Sequence, residues 1–167
     1  MKIVVYVAMT VNGIIAKDGG KRFVPYDNWK LFLKKARNVG NLIIGRKTFE
    51  AIRDGGGLKR LGGIRTIIVS KKGLENIGDF EIVATPEEAV EKIMSAGYRE
   101  CLIGGGGLLN GSLLGKRLIN EILLDVEPYI FDNGIKAFEG TNFDAKLELI
   151  NVEKISNNEV QLHYKVL

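Results

Sequence analysis

Two chemically versatile side chains are almost missing from this chain, which has one cysteine, Cys101, and one histidine, His163. A single cysteine excludes an internal disulfide, and the two residues together cannot furnish the usual Cys/His zinc sites, so no metal centre is expected. A Ser-His-Asp triad would have to rest on His163 alone. Apolar runs are also short. The longest, residues 3–9, falls far below the roughly 20 residues that a membrane helix needs. The amino end lacks the basic, apolar and small-residue succession of a secretion signal, and the expected location is the cytoplasm. Basic residues exceed acidic ones by only four. They are dispersed, without the clustered stripe and interleaved aromatics of a nucleic-acid binder. A mild basic excess suits a protein that binds small phosphorylated molecules. With three prolines and no low-complexity tract there is no linker, and 167 residues predict one domain spanning residues 1–167.

What is plentiful is glycine, at 21 of 167 residues, against a usual share of about 7%. Glycine marks places where backbone turns sharply or lies close to something. Between the glycines, short Val- and Ile-rich runs alternate with helical patterns. Strands are predicted over residues 2–9, 42–44, 64–69, 81–83, 100–103 and 120–127. Helices are predicted after Asp27 or Asn28, where Trp29, Phe32, Leu33 and Ala36 follow the helical period, and over residues 46–53, 86–96 and 108–114. Thr85-Pro86-Glu87-Glu88 gives the third of these a capping box. Residues 146–155 and 160–166 read as an antiparallel hairpin. The residues around Gly55 to Gly57 and Gly62-Gly63 read as a loose loop. Alternation of strand and helix predicts a largely parallel sheet covered on both faces, with the hairpin at its edge.

Ligands of such sheets lie beyond the carboxyl ends of the strands. Three strand ends carry suitable parts. In Ile43-Ile44-Gly45-Arg46-Lys47-Thr48 two cations stand in the first turn of a helix, against its dipole, and a bound anion would remove the conflict. A pair of solvated surface cations is the competing account. In Ile68-Val69-Ser70-Lys71-Lys72 a hydroxyl and two ammonium groups leave a strand together, as a phosphate site or as a plain polar loop. In Ile103-Gly104-Gly105-Gly106-Gly107-Leu108 four glycines let backbone approach a pyrophosphate. That run comes too late in the chain for a dinucleotide fingerprint after the first strand, and Lys116-Arg117 cannot serve as the Lys-Ser or Lys-Thr of a P-loop.

These blocks resemble known sequences. Residues 43–52 (IIGRKTFEAI) are similar to the cofactor segment of dihydrofolate reductases, and residues 4–16 (VVYVAMTVNGIIA) to their first strand and active-site loop. Residues 103–110 (IGGGGLLN), with Asn120-Glu121-Ile122, Glu127-Pro128 and Gly134, resemble a sister family more closely. That sister is the reductase domain at the C-terminus of the bifunctional riboflavin-biosynthesis deaminase-reductase. The resemblance implies an α/β fold, a dihydrofolate reductase-like three-layer sandwich with a mostly parallel central sheet and a C-terminal antiparallel hairpin.

By the same resemblance the chain is an NADPH-dependent reductase of a pyrimidine or pteridine. The favoured substrate is 5-amino-6-ribosylaminouracil 5'-phosphate. Dihydrofolate reduction and non-catalytic NADP binding are the alternatives. Gly45, Arg46, Lys47 and Thr48 would hold the pyrophosphate and the 2'-phosphate side of the cofactor. Ser70 and Lys71 would meet the 2'-phosphate. Gly104, Gly105, Gly106, Gly107 and Leu108 would pass the pyrophosphate and nicotinamide ribose, and Ala8, Ile15 and Ala16 would frame the nicotinamide. The family carboxylate maps near Trp29, which leaves Asp27 as the nearest acid and Asn28 beside it. Asp27 is thus the catalytic candidate, with a helix cap as its competing role. Lys30, Lys34 and Arg37 share a helix face and are the candidate cations for a substrate phosphate. Glu121 and Asp125 are weaker candidates for the acid, read first as structural, with Trp29 and Phe32 read as core and His163 as facing solvent. The resemblance also implies a homodimer.

Overall fold

The computed structural model describes residues 1–17, 23, 26–74, 78, 80–140 and 142–167, the side chains of residues 26–28 excepted. In chain order the described elements are β1 (Lys2–Thr10), β2 (Ile14–Ala16), α1 (Tyr26–Val39), β3 (Asn41–Gly45), α2 (Arg46–Asp54), β4 (Arg65–Val69), β5 (Glu81–Val83) and α3 (Pro86–Ser95). There follow β6 (Glu100–Ile103), α4 (Gly107–Gly115), β7 (Glu121–Glu127), β8 (Ile135–Lys136), β9 (Leu147–Lys154) and β10 (Val160–Val166).

Eight strands form one sheet in the order β5-β4-β3-β6-β1-β7-β10-β9. Strands β5 to β7 pair in parallel, whereas β10 runs antiparallel to both β7 and β9. The central strands read as continuous apolar runs because helices cover both their faces. Their side chains part with period two. Ile3, Val5 and Val7 join the core beneath α3 and α4, with Ile93 and Leu113. Val4 and Tyr6 join the opposite core beneath α1 and α2, with Leu33 and Phe49. Cys101 is fully buried, and burial pushes its thiol up to about 12, which makes it a packing residue rather than a nucleophile.

Two features differ from the sequence reading. The glycine-rich stretch after α2 holds a 3-10 turn, Leu58–Leu61, whose Leu61 is fully buried, so it is not a loose loop. The apolar triplet at residues 14–16 is a strand, paired antiparallel with β8. Elements of two or three residues are too short to show a period. Their pairing depends on Gly134, at φ +142°, where a Cβ would run into the carbonyl of Ala16.

Candidate functional site

Two helices begin at one point. Strand β3 ends at Gly45, the N-cap of α2, and β6 leads through Gly104-Gly105 to Gly106, the N-cap of α4. The Gly104 amide donates to the Ile43 carbonyl at 2.9 Å, and the Gly45 amide donates to the Gly105 carbonyl at 2.7 Å, locking the junctions together. Gly104 leaves no room for a side chain, since a Cβ would lie 2.9 Å from Phe32 Cζ and 3.0 Å from Leu42 Cδ1 and Ile44 Cγ2. Gly105 sits at φ +85°, which favours glycine.

Neither α2 nor α4 has a side-chain cap or an acidic residue in its first turn. Helix α3 shows what an ordinary start in this protein looks like. There Thr85 Oγ1 accepts from the Glu88 amide at 3.2 Å, and Glu87 and Glu88 stand in the first turn. Uncapped amides and a positive helix end favour an anion at α2 and α4. The cations are at hand. Lys47 follows Arg46 in α2, and Arg46 Nη1 lies 2.8 Å from Glu50 Oε1. A third junction, at the end of β4, adds Ser70, Lys71 and Lys72. Ser70 Oγ donates to the Lys72 carbonyl at 2.6 Å and accepts from the Lys72 amide at 3.2 Å, closing a tight turn with both lysines exposed.

Because β4, β3, β6 and β1 are neighbours, their carboxyl ends border one cleft of about 700 Å3. Ala8, Ile15 and Ala16, residues 45–48, Ser70, Lys71 and residues 104–108 all line it. Lys30, Lys34 and Arg37 do not. All three are exposed on α1, and Arg37 Nη2 donates to the Arg60 carbonyl at 2.9 Å. Asp27 and Asn28 belong to the first turn of α1, but their side chains lie outside the described residues.

The far end of the cleft holds a group that sequence reasoning took for structural. Asp125 lines the cleft, only 1% exposed. Its Oδ2 accepts from the Tyr6 hydroxyl at 2.8 Å and its Oδ1 from Gln161 Nε2 at 2.7 Å. Burial raises the Asp125 carboxyl above its ordinary value, opposed by the hydrogen bonds from Gln161 and Tyr6 and assisted by the negative charge of Glu159. The Tyr6 hydroxyl is raised as well, by burial first and then by the neighbouring Asp125. An aromatic wall faces this group. Trp29 stacks on Phe32 at 5.3 Å, and Phe32 meets the edge of Tyr6 at 5.5 Å. Trp29 and Phe32 are therefore cleft lining as well as core.

Glu121 is different. It stands at the amino end of β7, away from the cleft, 2.8 Å from His163 Nε2 and 3.2 Å from Lys2 Nζ. His163 is thus half-buried and partnered rather than open to solvent.

Across its full length the chain has the fold of a provisionally named riboflavin biosynthesis protein from Shewanella sp. PV-4. The TM-score is 0.82 at 18% identity, over 100% of this chain and 99% of that one. A pyrimidine reductase-like protein from Corynebacterium diphtheriae gives 0.78 at 14% identity, over 99% of this chain and 92% of that one. RibD from Acinetobacter baumannii gives 0.78 at 13% identity, over 99% of this chain and 58% of that one, so this chain spans little more than half of it. Such likenesses define the fold, the dihydrofolate reductase-like three-layer α/β sandwich with its C-terminal antiparallel hairpin. The model of the RibD C-terminal domain matches residues 53–161, and the chain belongs to that family. No curated protein sequence matches it. Membership makes the chain an oxidoreductase of the kind found in riboflavin biosynthesis.

Proposed function

We propose that this chain is an NADPH-dependent reductase that delivers a hydride to a C=N acceptor of an aminopyrimidine, with 5-amino-6-ribosylaminouracil 5'-phosphate as its substrate. One observation supports the reading: three strand ends converge on a single cleft, two leading into uncapped helix starts and the third, at the end of β4, into a turn with paired lysines. The residues suit a dinucleotide that carries both a pyrophosphate and a 2'-phosphate. Residues 45–48 and 104–108 offer backbone amides to the pyrophosphate, and the cations Arg46 and Lys47 suit the 2'-phosphate side as well. Ser70 and Lys71 suit the 2'-phosphate. Ala8, Ile15 and Ala16 suit the flat, mostly apolar nicotinamide. When bound, NADPH supplies the hydride. The chain's own part is to position the acceptor against the ring and to exclude water with Val7, Trp29 and Phe32. Membership in the RibD C-terminal domain family favours the aminopyrimidine over dihydrofolate.

The test follows absorbance of NADPH with the aminopyrimidine phosphate and, separately, with dihydrofolate. Turnover is expected with the first. Binding of NADPH without turnover of either would leave a nucleotide-binding protein. A double substitution, Arg46→Ala with Lys47→Ala, is expected to weaken NADPH at least about tenfold more than NADH, since one charge-assisted contact contributes roughly 1.5–3 kcal/mol. Equal loss for both cofactors would remove the 2'-phosphate role.

A further inference from the structure

We infer that Asp125 is the acid that protonates the substrate as it is reduced, with Tyr6 and Gln161 as its positioning residues. This rests on the reductase reading above and adds the proton donor to it. Four observations support it. Asp125 is a carboxyl taken almost wholly out of water, and its hydrogen-bond partners Tyr6 and Gln161 are neutral. Burying a charge in this way is costly, and a neutral acid avoids the cost. The strand register sets Asp125 beside Ala8, at the end of the cleft assigned to the nicotinamide. The stacked rings of Trp29 and Phe32 line the same cleft, and Phe32 meets the edge of Tyr6. Tyr6 from β1 and Gln161 from β10 fix the carboxyl from two sides, and Gln161 Nε2 also reaches the Tyr6 hydroxyl at 3.2 Å.

The balance is simple. As the acceptor carbon of the C=N bond takes the hydride, the π electrons move to the nitrogen, and that nitrogen takes the proton of Asp125. The carboxylate left behind accepts hydrogen bonds from Tyr6 and Gln161, and solvent returns the proton after product leaves. Positioned acids of this kind contribute typically about 10²- to 10⁴-fold in rate.

Among the described residues, two carboxylates act on Asp125 and its partner Tyr6. Glu159, just ahead of β10, raises its proton affinity. Glu127, further along β7, acts on the adjacent Tyr6. Trp29 and Phe32 from α1 carry no charge. Activity should therefore fall as pH rises through the Asp125 titration. Tyr6→Phe removes a hydrogen bond that favours the carboxylate, so it should move that limb to higher pH.

The experiment compares D125N, Y6F and D27N. NADPH binding, read by fluorescence titration, serves as the check on folding and on the cofactor site. D125N is expected to bind NADPH within about threefold of the unaltered protein and to lose about 10²-fold or more in kcat. Infrared difference spectra of the protein without cofactor, taken across pH, should show a protonated carboxyl band that D125N lacks. If D125N does not fold, the Y6F limb shift carries the test. An unshifted limb in Y6F, a D125N enzyme retaining full kcat, or a larger loss in D27N than in D125N would each overturn the assignment. Absence of turnover in the unaltered protein would instead strike the reductase reading itself.

Discussion

Replacing Gly104 with alanine tests whether the glycine run is a packed junction or a permissive loop. The added methyl would meet Phe32 Cζ at 2.9 Å and both Leu42 Cδ1 and Ile44 Cγ2 at 3.0 Å. Leu42 and Ile44 are fully buried, so neither can swing away freely. Forcing one methyl into a packed site costs about 1–3 kcal/mol. In a domain of this size each kcal/mol moves Tm by roughly 2–4 °C, so a fall of roughly 4–8 °C is expected near the middle of the range. Gly73→Ala is the control, because a Cβ there meets nothing within 4 Å. Surface changes of that sort stay within about 0.5 kcal/mol. The closest contact is the tip of the Phe32 ring, which leucine lacks. G104A combined with Phe32→Leu should therefore lose less stability than the two single changes added, with a coupling of about 0.5–3 kcal/mol. Calorimetry on the four proteins reads this directly. A G104A protein melting within 1 °C of the parent, or strict additivity with Phe32→Leu, would refute the packing account.

Two further outcomes follow from local geometry. Thr85→Ala removes the hydroxyl that caps α3 and should cost about 1 kcal/mol in chemical denaturation, whereas the same experiment at Thr48, which caps nothing, should not. Burial would raise the carboxyls of Glu100 and Glu121, but hydrogen bonds outweigh it and leave both below their ordinary values, from Lys35 and Lys2 for Glu100 and from His163 and Lys2 for Glu121. A lowered carboxyl adds stability above its unfolded value and loses it as pH falls through the folded one. The urea midpoint of Glu100→Gln should thus lie below the parent's at neutral pH and converge with it in acid, and a gap constant with pH would refute this.

The end of the cleft where strands β3 and β6 run into helices was legible because its elements are local in sequence. Arg46, Lys47 and Thr48 follow a strand directly, and four glycines follow another, so a glance at each junction shows an uncapped helix start with cations or bare backbone. Sheet order then does the assembling, since β4, β3 and β6 are adjacent. Short elements were lost for want of length. Residues 14–16 and 135–136 carry no period of their own, yet their pairing fixes Ile15 and Ala16 at the cleft wall. On α1 the spacing of Lys30, Lys34 and Arg37 correctly gives one shared face, but that face is turned outward. Spacing fixes which residues travel together. It does not fix which way they point.

The cluster around Asp125 was hard to see for a related reason. In sequence Asp125 is one of three acidic residues in β7, with Glu121 and Glu127, and nothing local sets it apart. Its meaning comes from residues 119 and 36 positions away, Tyr6 and Gln161, which only strand pairing brings within hydrogen-bond reach. A signal was nevertheless present. Tyr6 on β1, Asp125 on β7 and Gln161 on β10 occupy the same face of three consecutive strands, so the sheet order and the period of two suffice to predict the cluster once the strands are aligned. The parts that suit a phosphate are thus local to single strand ends, whereas the polar group at the other end of the cleft is assembled across the sheet. Reading the first without the second leaves the cluster of Tyr6, Asp125 and Gln161 unseen.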